Sequence, residues 1–225
     1  MNIKGAIFDM DGTLVDSLMF WDHLWGEIGK RYLNDASFRP DESVDKNVRT
    51  MIYGDAMAYV REYYNISEDT DAFMSFATEA LADFYRQCVK YKTGAIELLE
   101  YLKGSGMPIC LASATAMKDI KVALASCGLE KYFDHVLSCD DIGAGKDRPD
   151  IYLLAKERLG LDAKDICVFE DSCVALETAK SVGFQTVGVF DKYNFGQDRL
   201  EAASDIYLKE GQPLDMLIDH INAVS

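Results

Sequence analysis

No apolar run in this 225-residue chain approaches the roughly 20 residues that a membrane-spanning helix needs, so no transmembrane anchor is expected. The opening stretch MNIKGAIFDM enters an apolar strand without a small-residue cleavage pattern, and no signal peptide is expected either. Basic residues are scarce: 23 Lys and Arg against 38 Asp and Glu leave a formal net charge of −15. That balance argues against non-specific binding to nucleic acid or to an anionic membrane. It leaves room for a small anionic substrate, because a bound cation can reverse the local field. The six cysteines (Cys88, Cys110, Cys127, Cys139, Cys167 and Cys173) include no CxxC pair. They read as reduced, mostly buried thiols of a cytoplasmic protein rather than as disulfides or a zinc site. His23, His135 and His220 fit no ligand spacing. There is no internal repeat, no low-complexity segment, and nothing that specifies an oligomeric state.

What is present is the composition of a soluble folded protein, 49% hydrophobic and 27% charged. The length fits one large domain or a core domain carrying an insertion. Ala6, Ile7 and Phe8 form an apolar strand. Leu18, Trp21, Trp25, Ile28 and Tyr32 then recur at helical spacing and predict a helix from about 16 to 33. Pro40 marks a connection over 34–43. Val44, Val48, Met51 and Ile52 predict a short helix interrupted at Gly54, Met57 to Tyr63 a second, and Phe73 to Cys88 a long one over about 70–90. No strand is expected between 17 and 91.

From Tyr91 onward helices and strands alternate. Helices are expected over 91–104, around Ile120 to Cys127, from Pro149 to Gly160 and over 172–181. Strands are expected at PICLAS (108–113), HVLSC (135–139), ICVFE (166–170), TVGVF (186–190) and DIYL (205–208). A last helix carries Leu214, Leu217, Ile218 and Ile221. Nearly continuous apolar strands such as ICVFE suit a parallel sheet buried on both faces. The fold class is therefore α/β: a doubly wound, Rossmann-like parallel sheet formed by 1–16 and 91–225, with an all-helical insertion at 17–90.

Ligands of such sheets lie beyond the carboxyl ends of the strands. The first strand delivers Asp9 and Asp11, which face one side if the backbone stays extended. Taken alone, this pair reads equally as a metal or phosphate site and as a polar strand end entering a DG turn. The other strand ends bear on the choice. PICLAS delivers Ser113, Ala114 and Thr115; ICVFE delivers Glu170, Asp171 and Ser172; the loop after HVLSC carries Lys146 beside a proline-initiated helix. Carboxylates, a hydroxyl and an ammonium on one sheet edge make up the composition of a magnesium-dependent phosphoryl-transfer site.

In the order DMDGT, LAS, GKDRPD, FEDS the chain resembles the haloacid dehalogenase superfamily along its whole length, and the helical insertion resembles that superfamily's cap. The resemblance implies Asp9 as a nucleophile forming an aspartyl-phosphate and Asp11 as general acid, then base. It implies Ser113 and the Ala114 amide on the transferring phosphoryl group, Lys146 neutralising charge, and Thr13 orienting the site. It implies Mg²⁺ held by Asp9, the Asp11 backbone carbonyl and Asp171, with Glu170 direct or through water. Trp21 and Arg49 are candidate substrate contacts in the cap. Two departures predict altered loop geometry: Asp147 stands where the family often has proline, and no glycine stands three residues after EDS. The activity implied is hydrolysis of a small phosphorylated metabolite in the cytoplasm. The alternatives are a sugar-phosphate mutase of the beta-phosphoglucomutase type and, in another class, a phosphate-accepting receiver domain. A receiver needs only about half this length and carries no helical insertion.

Overall fold

The computed structural model describes residues 1–51, 53–87 and 89–223. The chain divides into two units, one of Met1–Ser17 with Val89–Ser225 and one of Leu18–Cys88.

The first unit begins with β1 (Asn2–Ile3) and β2 (Gly5–Phe8). The second unit holds α1 (Phe20–Ile28), a π-helical turn over Gly29–Leu33, α2 (Glu42–Thr50), α3 (Tyr53–Tyr63) and α4 (Thr70–Gln87). The chain then returns to the first unit through α5 (Ala95–Gly104), β3 (Ile109–Ser113), α6 (Met117–Cys127), β4 (His135–Ser138), α7 (Cys139–Ile142) and α8 (Asp150–Leu159). It ends with β5 (Ile166–Glu170), α9 (Cys173–Ser181), β6 (Gln185–Val189), α10 (Gln197–Ala203), β7 (Ile206–Leu208) and β8 (Asn222–Ala223).

Six strands form one parallel sheet in the order β4-β3-β2-β5-β6-β7, as the alternating pattern predicts. The chain winds from β2 out to β4 on one side, then crosses to β5 and winds out to β7 on the other. The reversal flanks β2, which is where an open parallel sheet leaves a crevice. Every residue of β2 and β5 is buried, because helices cover both faces. The register sets Phe8 opposite Leu111 on one side and Phe169 on the other. Phe8 and Phe169 stack at 4.1 Å between ring centroids. Burying each such ring contributes about 2–3 kcal/mol, and the stack fixes the level at which Asp9 and Glu170 leave the sheet. A separate pair, β1 with β8, joins the two ends of the first unit.

The helical unit has its own core, including Leu24, Trp25, Ile28, Val48, Met57, Val60, Phe73, Ala77 and Phe84, all buried. No helix among the described residues is long and apolar enough to cross a membrane. The five described cysteines are free.

Several boundaries differ from the sequence reading for local reasons. The first helix begins at Phe20 rather than near 16. Val15 bridges to Asp11 and Tyr91, and the Asp16 amide donates to Lys90 O at 2.8 Å, so this stretch stays extended. Gly54 lies within α3 rather than between helices. Cys139 opens a short helix instead of closing a strand, since Ser138 caps it by accepting the Asp140 amide. The last apolar segment, Leu214–His220, is 3₁₀ rather than α-helical and follows Pro213. Ile52 and Cys88, assigned above to apolar helix faces, lie outside the described residues.

Candidate active site

Asp9 follows the last residue of β2, and its amide donates to Phe169 O at 3.0 Å, so the ladder continues one residue past the strand. The chain then turns sharply. Gly12 has φ of 83°, a conformation costly for any side chain with a Cβ, and its amide donates to Val15 O at 2.9 Å. The Leu14 and Val15 amides both donate to Met10 O, each at 3.0 Å. This turn buries Thr13 completely and aims its hydroxyl at Asp171, Oγ1 to Oδ1 3.1 Å.

β5 delivers Glu170 and then Asp171, both buried. Lys146, from the loop after α7, places its ammonium between β2 and β5. It donates to Asp9 Oδ1 and, at 2.6 Å, to Glu170 Oε1. Glu170 also accepts from the Tyr152 hydroxyl at 3.3 Å and, through Oε2, from the Asp171 and Ser172 amides at 3.0 Å each. Both of its oxygens are therefore occupied by protein donors, and it anchors Lys146 to the start of α9. Asp147 lies beside Gly145, where a Cβ would meet Asp147 Oδ1 at 2.7 Å. With Asp147 next to it, Lys146 still reaches both Asp9 and Glu170. The position three residues after Ser172 is Ala175, buried in α9.

Oxygens of Asp9, Glu170 and Asp171 lie within 4.8 Å of one another. Were all three ionised, the buried carboxylates around one ammonium would leave an excess of negative charge. Burial pushes the Asp9 carboxyl up to about 8; Lys146 opposes this, while Glu170 and Asp11 reinforce it. Burial, with Asp9 and Glu170, also raises Asp171 well above the usual carboxylate range, against the pull of its hydrogen bond from Asn194. For Lys146, burial favours the neutral amine, but Asp9 and Glu170 outweigh it and hold the ammonium well above its ordinary value. An all-oxygen donor set with surplus negative charge fits a hard divalent cation, and Asp9 and Asp171 have the freer oxygens to offer it.

Asp11 is half-buried. Its Oδ1 accepts from Ser17 Oγ at 2.6 Å and its Oδ2 from Thr115 Oγ1 at 2.7 Å. Ser113, buried at the end of β3, accepts the Thr115 amide at 3.0 Å, and Ala114 is exposed beside it. The structure therefore brings Asp9, Thr13, Lys146, Glu170 and Asp171 into one bonded cluster. Thr115 links Ser113 and Asp11 to each other on the neighbouring strand.

Trp21 and Arg49 belong to the helical unit. Trp21 packs against Phe20, Trp25 and Tyr53. Arg49 donates to Asp45 Oδ2 at 2.9 Å and to Leu18 O at 3.3 Å, lies 3.6 Å from Asp22, and faces the Trp21 ring at 5.9 Å. Its charge is already matched within that unit.

The sequence does not single out Ser17, Tyr152 or Asn194, and it names Thr115 only as a strand-end residue without a role. Thr115 follows the very strand end that supplied Ser113. Asn194 lies in the loop after β6, where the strand-end rule applies equally; it donates to Asp171 Oδ2 at 2.8 Å.

The model of the haloacid dehalogenase-like hydrolase family matches residues 3–183. A phosphorylated carbohydrates phosphatase of Thermotoga maritima is 29% identical over 216 residues, covering 96% of this chain and 98% of that protein. A fructose-1-phosphate phosphatase of Escherichia coli K12 is 26% identical, covering 82% and 95%. Among solved structures, a candidate beta-phosphoglucomutase from Thermotoga maritima superposes with a TM-score of 0.79 at 28% identity, covering 96% of this chain and 99% of that one.

Proposed function

This chain belongs to the haloacid dehalogenase-like hydrolase family, and on that premise we propose that it is a magnesium-dependent phosphatase of small phosphorylated sugars. The observation that carries this reading is the buried cluster itself: Asp9, Glu170 and Asp171 close together, with the Lys146 ammonium set against two of them. The names of the Thermotoga maritima and Escherichia coli relatives supply the substrate class.

Asp9 attacks phosphorus, forming an acyl-phosphate bond as the ester oxygen departs. Asp11 gives that oxygen a proton, then takes one from the water that attacks phosphorus and releases Asp9 and inorganic phosphate. Because Ser17 and Thr115 occupy both Asp11 oxygens, one of those hydrogen bonds is exchanged for the substrate. Lys146 favours the ionised form of Asp9 against the burial that disfavours it and offsets phosphoryl charge, and Glu170 fixes its position. Ser113 accepts from the Thr115 amide, which leaves its own proton to donate to a phosphoryl oxygen, with the Ala114 amide beside it. Thr13 orients Asp171. Asp9, Asp171, the Asp11 carbonyl and Glu170 (directly or through water) would hold Mg²⁺, whose charge would offset that developing on the phosphoryl group. The helical unit acts as the cap, with Trp21 and Arg49 as its candidate substrate contacts. Free cysteines suit a reducing cytoplasmic setting.

Likeness to the candidate beta-phosphoglucomutase favours a second reading, a sugar-phosphate mutase. Incubation with a panel of sugar phosphates and Mg²⁺ separates the two. Release of inorganic phosphate supports the phosphatase. Conversion of beta-glucose 1-phosphate to glucose 6-phosphate without net phosphate release overturns it.

A further inference from the structure

We infer that Asn194 is a positioning residue for the metal-binding carboxylate of Asp171, and that the loop carrying it is built for that purpose. The inference rests on the phosphatase reading above, since it gives Asp171 the role of ligand. Asp171 is held from two sides. Thr13 donates to Oδ1 at 3.1 Å, while Asn194 Nδ2 donates to Oδ2 at 2.8 Å and to the Asp171 carbonyl at 3.2 Å. Gripping both the carboxylate and the backbone of one residue fixes its χ angles as well as its position. The Asn194 amide is itself oriented, because its Oδ1 accepts the Phe195 amide at 2.8 Å. An uncharged donor suits this role, because it restrains the carboxylate without competing as a second ammonium for the negative charge that a cation needs.

The loop is fastened at both ends. At the end of β6, buried Asp191 accepts the Tyr193 amide at 2.9 Å and the Lys92 ammonium at 2.9 Å. Gln197 Nε2 bridges the carbonyls of Asp191 and Asn194 at 3.0 and 3.3 Å. At the far end Gly196, with φ of 72°, sits so close to α9 that a Cβ there would meet Cys173 Sγ at 2.8 Å. The loop therefore rests on the residue two positions after Asp171. Asn194 itself is half-exposed, so truncating it removes the grip and little of the core.

Outer partners of metal ligands contribute about 10–100-fold to affinity. The test is calorimetric titration of Mg²⁺ into wild type, Asn194→Ala and the near-isosteric, non-donating Asn194→Leu. Thermal unfolding and p-nitrophenyl phosphate kinetics at saturating Mg²⁺ are measured in parallel. Expected is a loss of affinity of about 10–100-fold in both variants, with the KM for the ester and the melting temperature in chelator close to wild type. Variants that bind Mg²⁺ as tightly as wild type overturn the inference while the phosphatase reading stands. Parallel losses in melting temperature, KM and affinity also overturn it, since they signify a merely structural loop. Wild-type protein that neither binds Mg²⁺ nor hydrolyses the ester defeats the phosphatase reading, and this inference with it.

Discussion

Replacing Lys146 with methionine keeps the length of the side chain and removes the ammonium that balances the carboxylate cluster. The lysine is 9% exposed, and its partners Asp9 and Glu170 are 8% and 2% exposed, so solvent screening is small. Breaking a buried pair by deleting one partner costs about 3–5 kcal/mol. Two features place this case near the lower bound. Glu170 keeps the Tyr152 hydroxyl and two backbone amides, and Asp9, already pushed up to about 8, can hold a proton instead of a charge at neutral pH. With about 2–4 °C per kcal/mol for a chain of this size, a loss of ~3 kcal/mol lowers the melting temperature by roughly 6–12 °C in chelator. The deficit widens above pH 8, where wild-type Asp9 ionises beside Lys146 whereas in the variant, without the ammonium that lowers it, the carboxyl is held up further, and added Mg²⁺ recovers part of the loss. Turnover falls by about 100-fold or more, the scale of losing one preorganised electrostatic donor. Differential scanning fluorimetry at pH 6, 7.5 and 9, with and without Mg²⁺, reads the stability; release of p-nitrophenol reads the activity. A melting temperature within about 2 °C of wild type at every pH in chelator, under 1 kcal/mol, refutes the charge balance argued here.

Metal-free protein should lose stability as pH rises toward 8. Asp9 has a folded value of about 8 against an ordinary 3.8, so between about pH 4 and 8 the folded state keeps a proton that the unfolded state has released. Its contribution is full below about 4 and gone above 8. Mg²⁺ displaces that proton, so its affinity should rise with pH over the same window; titration calorimetry showing pH-independent binding contradicts this. Asp11→Asn should slow turnover of sugar phosphates by about 100-fold or more, the loss of a general acid-base group. Mg²⁺ binding should survive, because the proposed contact is through the backbone carbonyl. A variant that no longer binds the ion removes that assignment.

The sheet was legible because its strands are short apolar runs punctuated by glycine and capped by polar residues, and the strand-end rule then pointed to Asp9, Ser113, Glu170 and Asp171 as candidates. Lys146 needed the motif order, since a loop lysine carries no periodicity. What escaped were the residues that hold these groups in place. Tyr152 lies on an apolar helix face like any core aromatic, and only its contact with Glu170 sets it apart. Ser17 and Thr115 act through pairings set by the turn and the register, 6 and 104 positions from Asp11. The delayed start of α1 arises likewise from a distant partner, Lys90, which local propensity cannot anticipate.

The central claim, that Asp9 carries the phosphoryl group and Asp11 manages the proton, is tested most directly by mass spectrometry of acid-quenched Asp11→Asn protein after mixing with p-nitrophenyl phosphate and Mg²⁺. Nitrophenolate leaves without needing a proton, so the first step proceeds, whereas water activation fails and the intermediate accumulates. One phosphoryl group is expected on the peptide containing Asp9, absent when Asp9 is also changed to asparagine. A phosphoryl group on any other residue, or full labelling in the double variant, would contradict it.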